Sequence, residues 1–138
     1  MTLLDAYALI AFLVGGPATR EVRSILREGD AGVATANLVE VLDVSQRVYG
    51  VPTSRTLETL DPLLEGPLTA VVLGFTVARR AADIRARHYH RSSRPISLAD
   101  AVLIGSAESG DRIATADPDV IAVAEAESIE SIVLPGQD

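Results

Sequence analysis

Residues 112–124 read RIATADPDVIAVA. The short run from Arg112 to Ala114 fits a buried strand, Asp117 stands where a side chain caps a helix, and Pro118 suits the first helical position of a helix running through Ala124. A strand passing straight into a helix, with a carboxylate at the join, is the repeating element of a parallel β/α arrangement. The same punctuation recurs upstream. Leu3-Leu4 starts a strand that meets Asp5, and a helical stretch from Ala8 to Val14 stops at Gly15-Gly16. Pro17 opens a helix to about Glu28, with Val22, Ile25 and Leu26 on one face. Ala31 to Thr35 reads as a strand, and Thr35 or Asn37 is placed to cap a helix carrying Leu38, Val41, Leu42, Val48 and Tyr49.

The second half continues the pattern. Pro52 to Leu64 is an amphipathic helix, Leu68 to Leu73 a strand, and Thr76 to about His90 a helix. After a loop from Arg91 to Pro95, Ser97 caps an apolar helix from Leu98 to Ser109, with Asp100 at its third position. Ser128 to Leu134 supplies a last strand. This alternation predicts an α/β fold in one domain over residues 1–138, with a mostly parallel central sheet of about four to five strands flanked by helices on both faces.

Composition narrows the chemistry. At 138 residues and 48% hydrophobic, the chain can bury a substantial core without staples. It contains no cysteine, which removes disulfides, thiolate zinc sites and thiol nucleophiles, and suits a reducing, cytoplasmic setting. The apolar run from Leu3 to Val14 is interrupted by Asp5, lacks a basic flank and is too short to span a bilayer, so no membrane role is expected. All twelve basic side chains are arginine; without lysine, P-loop phosphate binding and Schiff-base chemistry drop out. The net charge of −7 runs against nucleic-acid binding, but six of the arginines fall between Arg79 and Arg94, beside both histidines. That segment is either a solvated helix face or a local phosphate-binding patch.

Four acids stand isolated in apolar surroundings: Asp5 in LLDAYALI, Glu40 in ANLVEVL, Asp100 in ISLADAVLIG and Asp117 in IATADPDVIAVA. Each alone has an ordinary reading: Asp5 and Asp117 as helix caps, Asp100 as the capping-box partner of Ser97, Glu40 on a polar face with Asp43 and Arg47. Together they are harder to dismiss, because burying an unpaired carboxylate costs several kcal/mol. Asp5 and Asp117 follow strand C-terminal ends, where ligand sites form in open α/β sheets. Convergence of the four there calls for a hard divalent cation, Mg²⁺ or Mn²⁺.

These segments, in order and spacing, resemble the four acidic motifs of PIN-domain ribonucleases, with LLDAYALIA, NLVEVL, SLADA and ATADPDV as the matching stretches. The resemblance spans the chain, and its length and immediate N-terminal strand resemble the VapC toxins of type II VapBC toxin–antitoxin systems. It implies a PIN-like fold, a Mg²⁺-dependent endoribonuclease that hydrolyses RNA phosphodiester bonds to leave a 5′-phosphate and a 3′-hydroxyl, and neutralisation by a cognate VapB-like antitoxin. It also implies a homodimer and a toxin–antitoxin hetero-oligomer. Carried over by motif, Asp5, Glu40, Asp100 and Asp117 are the catalytic and metal-binding acids, Mn²⁺ being able to substitute for Mg²⁺. Asp119, Thr115 and Asn37 are accessories. RNA contacts fall to Arg85, Arg87, Arg91 and Arg94.

Three other readings remain. A non-catalytic PIN-like module that binds RNA or protein keeps the fold without turnover. A haloacid-dehalogenase-type phosphatase is disfavoured because Tyr7 stands where the second aspartate belongs and no lysine exists. His88 and His90 as a metal-free acid–base pair are disfavoured because residues two apart on a helix do not face each other. The apolar positions Leu57, Leu60, Leu63 and Leu64 read as core or as part of an antitoxin groove.

Overall fold

A computed structural model describes residues 1–136. The chain alternates as the sequence predicts: β1 (Thr2–Leu4), α1 (Ala6–Val14), α2 (Thr19–Glu28), β2 (Ala31–Ala34), α3 (Thr35–Arg47), α4 (Thr53–Leu64), β3 (Leu68–Val71), α5 (Phe75–His88), α6 (Leu98–Ser106), β4 (Arg112–Thr115), α7 (Pro118–Ala126) and β5 (Glu130–Val133). The five strands form one sheet in the order β3-β2-β1-β4-β5, and every neighbouring pair is parallel.

Side-chain alternation along the strands sorts the core into two layers. Leu4, Val33 and Ala114 pack with α1 to α4 through Leu9, Val22, Val41 and Leu60. Leu3 and Ile113 pack with α5 to α7 through Ile84, Leu103, Ile104 and Val123. Leu60 is fully buried, while Leu63 and Leu64 pack partly buried against the first layer. On the second layer α5 and α6 approach closely: a Cβ on Gly105 would lie 3.1 Å from the Ala81 amide nitrogen and 3.3 Å from the Val77 carbonyl oxygen.

Several element ends differ from the sequence reading, each for a local reason. The third strand stops at Val71 rather than Leu73, because its partner ends at Ala34, the residue paired with Val71. Past that point the Leu73 N–H donates to the Thr35 hydroxyl instead, and Val72 is left 71% exposed. Thr35 and Asn37 do not cap α3; Ala34 holds the cap position without a side-chain bond. The second helix begins at Thr19, not Pro17, with the Thr19 hydroxyl accepting from the Gly16 N–H. The fifth helix ends at His88, since Tyr89 turns extended and His90 pairs through its backbone with Arg94. The sixth stops at Ser106, where Ala107 also turns extended.

Candidate active site

From the central strand β1 the chain builds outward through β2 to β3, then returns to lay β4 and β5 on the other side. The C-terminal ends of β1 and β4 are therefore where the direction of winding reverses, the place where open parallel sheets form a crevice. Asp5 follows β1, Asp117 comes two residues after β4, and the two strands are in register at Leu4 and Ala114. Topology alone brings these two carboxylates together. The helices α3 and α6 carry the other two.

One cleft of about 400 Å³ is lined by Asp5, Tyr7, Asn37, Glu40, Asp100 and Asp117. Asp5 is 7% exposed; it caps α1, its Oδ1 accepting from the Ala8 N–H at 2.8 Å. Burial pushes its carboxyl up from 3.8 to about 6; bonds from Thr115 and the Ala8 amide pull it back, and the charges of Asp100 and Glu40 push the same way as burial. Thr115 is itself buried and accepts from the Asp117 N–H. Glu40 is half-buried and accepts a hydrogen bond from Asn37 Nδ2 at 3.1 Å; burial and then Asp100 raise its pKa, and Asn37 opposes them.

Asp100 and Ser97 form a reciprocal capping box: the Asp100 N–H donates to Ser97 Oγ at 3.0 Å, and the Ser97 N–H to Asp100 Oδ2 at 2.9 Å. Burial still raises the Asp100 pKa, the Ser97 bonds oppose the rise, and Asp117 and Asp119 add to it. Asp117 caps α7 by accepting from the Asp119 N–H at 2.8 Å. So three of the ordinary readings, the caps, are true as well. A cap uses one carboxylate oxygen for one N–H and leaves lone pairs free.

Among the described residues, none of these four acids is in an ion pair. Nor do any three acidic or imidazole groups among them close into a compact metal-sized cluster; the carboxylates ring the cleft. Asn37 Oδ1 is buried without a hydrogen-bond partner. Four carboxylates and an unpartnered amide oxygen are hard-oxygen donors of the kind Mg²⁺ or Mn²⁺ takes, and among the described residues no basic side chain is paired with the four acids.

The arginines divide. Arg94 reaches the rim, its Nε 3.5 Å from Asp119 Oδ1, so Asp119 is engaged with a cation. Arg87 pairs with Glu127 at 2.6 Å, and His88 shares that carboxylate. Glu127 lies past the end of α7 opposite Asp117, more than a dozen ångströms along a nine-residue helix, so Arg87 is remote from the cleft. Arg85 donates to the Ile96 carbonyl and lies over the Tyr89 ring. Arg91 is exposed. His90 Nδ1 accepts from the Ser92 and Ser93 N–H groups, so the two histidines serve different partners.

Tyr7 has no positive role legible in its sequence context. It lines the cleft and its hydroxyl donates to the Pro135 carbonyl at 2.5 Å, bringing Gly136 to the cleft wall. Burial and the Asp5 charge raise its pKa. Its position two residues after the strand-end acid is the one sequence signal; the contact with Pro135 spans nearly the whole chain.

The family model of the PIN domain matches residues 2–126. The chain belongs to the PIN domain family. Solved structures agree on the fold: a chain of the DNA-bound VapBC from Salmonella typhimurium superposes with a TM-score of 0.68 at 18% identity over 96% of each chain. A chain of FitAcB from Neisseria gonorrhoeae gives 0.64 at 20% identity, again over 96% of each. A chain of a toxin–antitoxin complex from Klebsiella pneumoniae gives 0.65 at 17%, over 88% of this chain and 91% of that one. No curated protein sequence matches the chain. Among the described residues of this PIN domain, no helix is long and apolar enough to cross a membrane.

Proposed function

We propose that this PIN domain is a Mg²⁺- or Mn²⁺-dependent endoribonuclease and the toxin of a toxin–antitoxin pair. The observation that carries the reading is the convergence of Asp5, Glu40, Asp100 and Asp117, from four separate elements, on one cleft at the switch point of the sheet, with no cation of the chain's own paired to them among the described residues. A bound divalent ion supplies Lewis acidity there, activating water and offsetting phosphate charge.

The residues of the chain hold and orient. Asp5, fixed by Thr115 and the Ala8 amide, and Asp117, fixed at the head of α7, present oxygens from the sheet edge. Asn37 steadies Glu40, and Ser97 steadies Asp100. In hydrolysis the water oxygen bonds to phosphorus as the bond from phosphorus to the 3′ oxygen breaks; a carboxylate takes the water's proton, and the departing 3′ oxygen takes a proton from solvent to become the hydroxyl. Glu40 and Asp100 are the carboxylates offered for taking the water's proton, each held at the cleft by a neighbouring side chain or amide. Arg94, at the rim beside Asp119, is the arginine best placed to meet RNA phosphate.

Inhibition follows from the same charge. An antitoxin segment presenting an arginine to the ring of carboxylates neutralises it and blocks RNA, a partner reading supported by the complexes in which the similar folds occur. The test is cleavage of a defined RNA by purified protein with Mg²⁺, Mn²⁺ or chelator, and with Asp5→Asn and Asp100→Asn. Metal-dependent cuts bearing 5′-phosphates that vanish in both variants support the nuclease. Tight RNA or protein binding with no cuts in any metal decides for the non-catalytic module.

A further inference from the structure

Beside the acidic cleft lies a second hollow of about 250 Å³, and the two share the wall made by Ala6, Tyr7 and Glu40. Its remaining lining is apolar or aromatic: Ile10 and Val14 of α1, Val44 of α3, and Tyr49 just beyond α3. Among the described residues no arginine lines it, so it is not built for phosphate. Tyr7 stands between the two spaces with its hydroxyl satisfied by the Pro135 carbonyl, which fixes the ring before any ligand arrives. Tyr49, on the far side, is 44% exposed, although a tyrosine ring gains from being covered. At about 250 Å³ the hollow falls just below the range of pockets for drug-sized ligands, about 300–1,000 Å³, so it holds one ring system.

We propose that this hollow is a nucleobase subsite, in which one unpaired base of single-stranded RNA, next to the phosphate in the acidic cleft, packs against Tyr7 and Tyr49. The inference rests on the nuclease reading for its ligand and on the shared wall for its place. A neutral planar ring flanked by a phosphate matches an apolar aromatic hollow flanked by a metal-fitting cleft. Stacking on aromatic side chains is the usual way single-stranded RNA bases are held when no base pair competes. Tyr7 and Tyr49 thereby select for single-stranded substrate.

The test uses the whole protein, a short single-stranded RNA oligomer that it binds, and a set of the same oligomer carrying one abasic nucleotide at each position in turn. Affinity is read by fluorescence anisotropy in Ca²⁺ with a non-cleavable phosphorothioate version, and turnover separately in Mn²⁺. Tyr49→Ala, at a part-exposed position outside any helix or strand, should weaken binding and raise KM for the intact oligomer about tenfold, with kcat little changed. One abasic position should weaken the parent protein equally, and on that oligomer the difference between parent and variant should vanish. Equal losses by the variant on intact and abasic RNA overturn the subsite. Base- and Tyr49-dependent binding without cleavage keeps the subsite and removes the nuclease; cleavage indifferent to both does the reverse. Loss of antitoxin binding in Tyr49→Ala, with RNA affinity untouched, would assign the hollow to protein and overturn the proposal.

Discussion

Replacing Asp5 by asparagine should stabilise the metal-free protein at neutral pH, and by an amount the structure sets. The carboxyl is pushed from 3.8 to about 6, with burial as the largest cause. Folding therefore shifts the balance toward the neutral form relative to the unfolded chain. Below about pH 4 the group is protonated in folded and unfolded chains alike and contributes no penalty. Between that pH and about 6 the unfolded chain gives up its proton while the folded one keeps it, so the parent loses stability as pH rises. Above about 6 the penalty is full. A gap of about two pH units corresponds to about 3 kcal/mol. Asparagine retains an oxygen for the Ala8 N–H but not the charge that strengthens that bond, so about 1–3 kcal/mol of stabilisation is expected, or roughly 3–10 °C in Tm.

The assay is urea unfolding of parent and Asp5→Asn in chelator, at steps from pH 4 to pH 8. The difference between the two proteins isolates Asp5 from the other titrating groups. It should be near zero at pH 4, grow to about pH 6 and then level. A variant less stable than the parent at pH 8, or a difference independent of pH, refutes the argument from desolvation. Adding Mn²⁺ then separates the chemistry from the burial. Saturating metal at about a hundred times its Kd stabilises the parent by about 2.7 kcal/mol and the variant by less, so the order of stabilities should close or invert.

Ser97→Ala should cost about 1 kcal/mol of stability by chemical denaturation through loss of the cap on α6, and should lower kcat more than it raises KM, since Ser97 orients Asp100; unchanged turnover would separate the cap from the site. Gly105→Val should destabilise by about 1–3 kcal/mol, because the added carbons meet the α5 backbone at Ala81 and Val77 rather than a yielding side chain; a neutral effect on Tm would contradict that packing. Glu127→Gln removes the partner of Arg87 and His88. The Glu127 pKa is lowered, chiefly by the bond from Arg87 and then by that from His88, so its contribution is present above the ordinary carboxylate pKa and lost as pH falls. The variant should be less stable than the parent at pH 7 and converge with it toward pH 3, while cutting RNA normally.

What could be read from the sequence follows from where the information is local. The joins at Asp5 and Asp117 are legible because a cap, a proline and a strand end are decided within a few residues, and the all-parallel order follows from their alternation with helices. Where the third strand stops is not local: it ends because β2 ends, and the apolar Val72 and Leu73 give no sign of that. The arginine cluster shows the same limit. Residues close in sequence are parted by the fold: Arg94 meets Asp119, Arg80 meets Glu108, and Arg87 meets Glu127 at the far end of α7. The tie between Tyr7 and Pro135 joins opposite ends of the chain and leaves no periodic trace.

Caps and candidate ligands coincide at three of the four acids, and that coincidence has a physical cause. A helix N-terminus at the switch point offers unsatisfied N–H groups and a favourable dipole to any carboxylate placed there. Asp5, Asp100 and Asp117 each accept one backbone N–H or more and so are held with a defined oxygen forward. The dipoles help to offset the cost of assembling like charges at a half-buried edge. They do not remove it, since Asp5 and Asp100 still carry raised pKa values. Among the described residues, Glu40 caps no helix and is held by the bond from Asn37. The structural role and the proposed chemical one thus fall on the same carboxylates, and swapping an acid for its amide separates them: the cap largely survives, while the charge that a divalent ion would meet is gone.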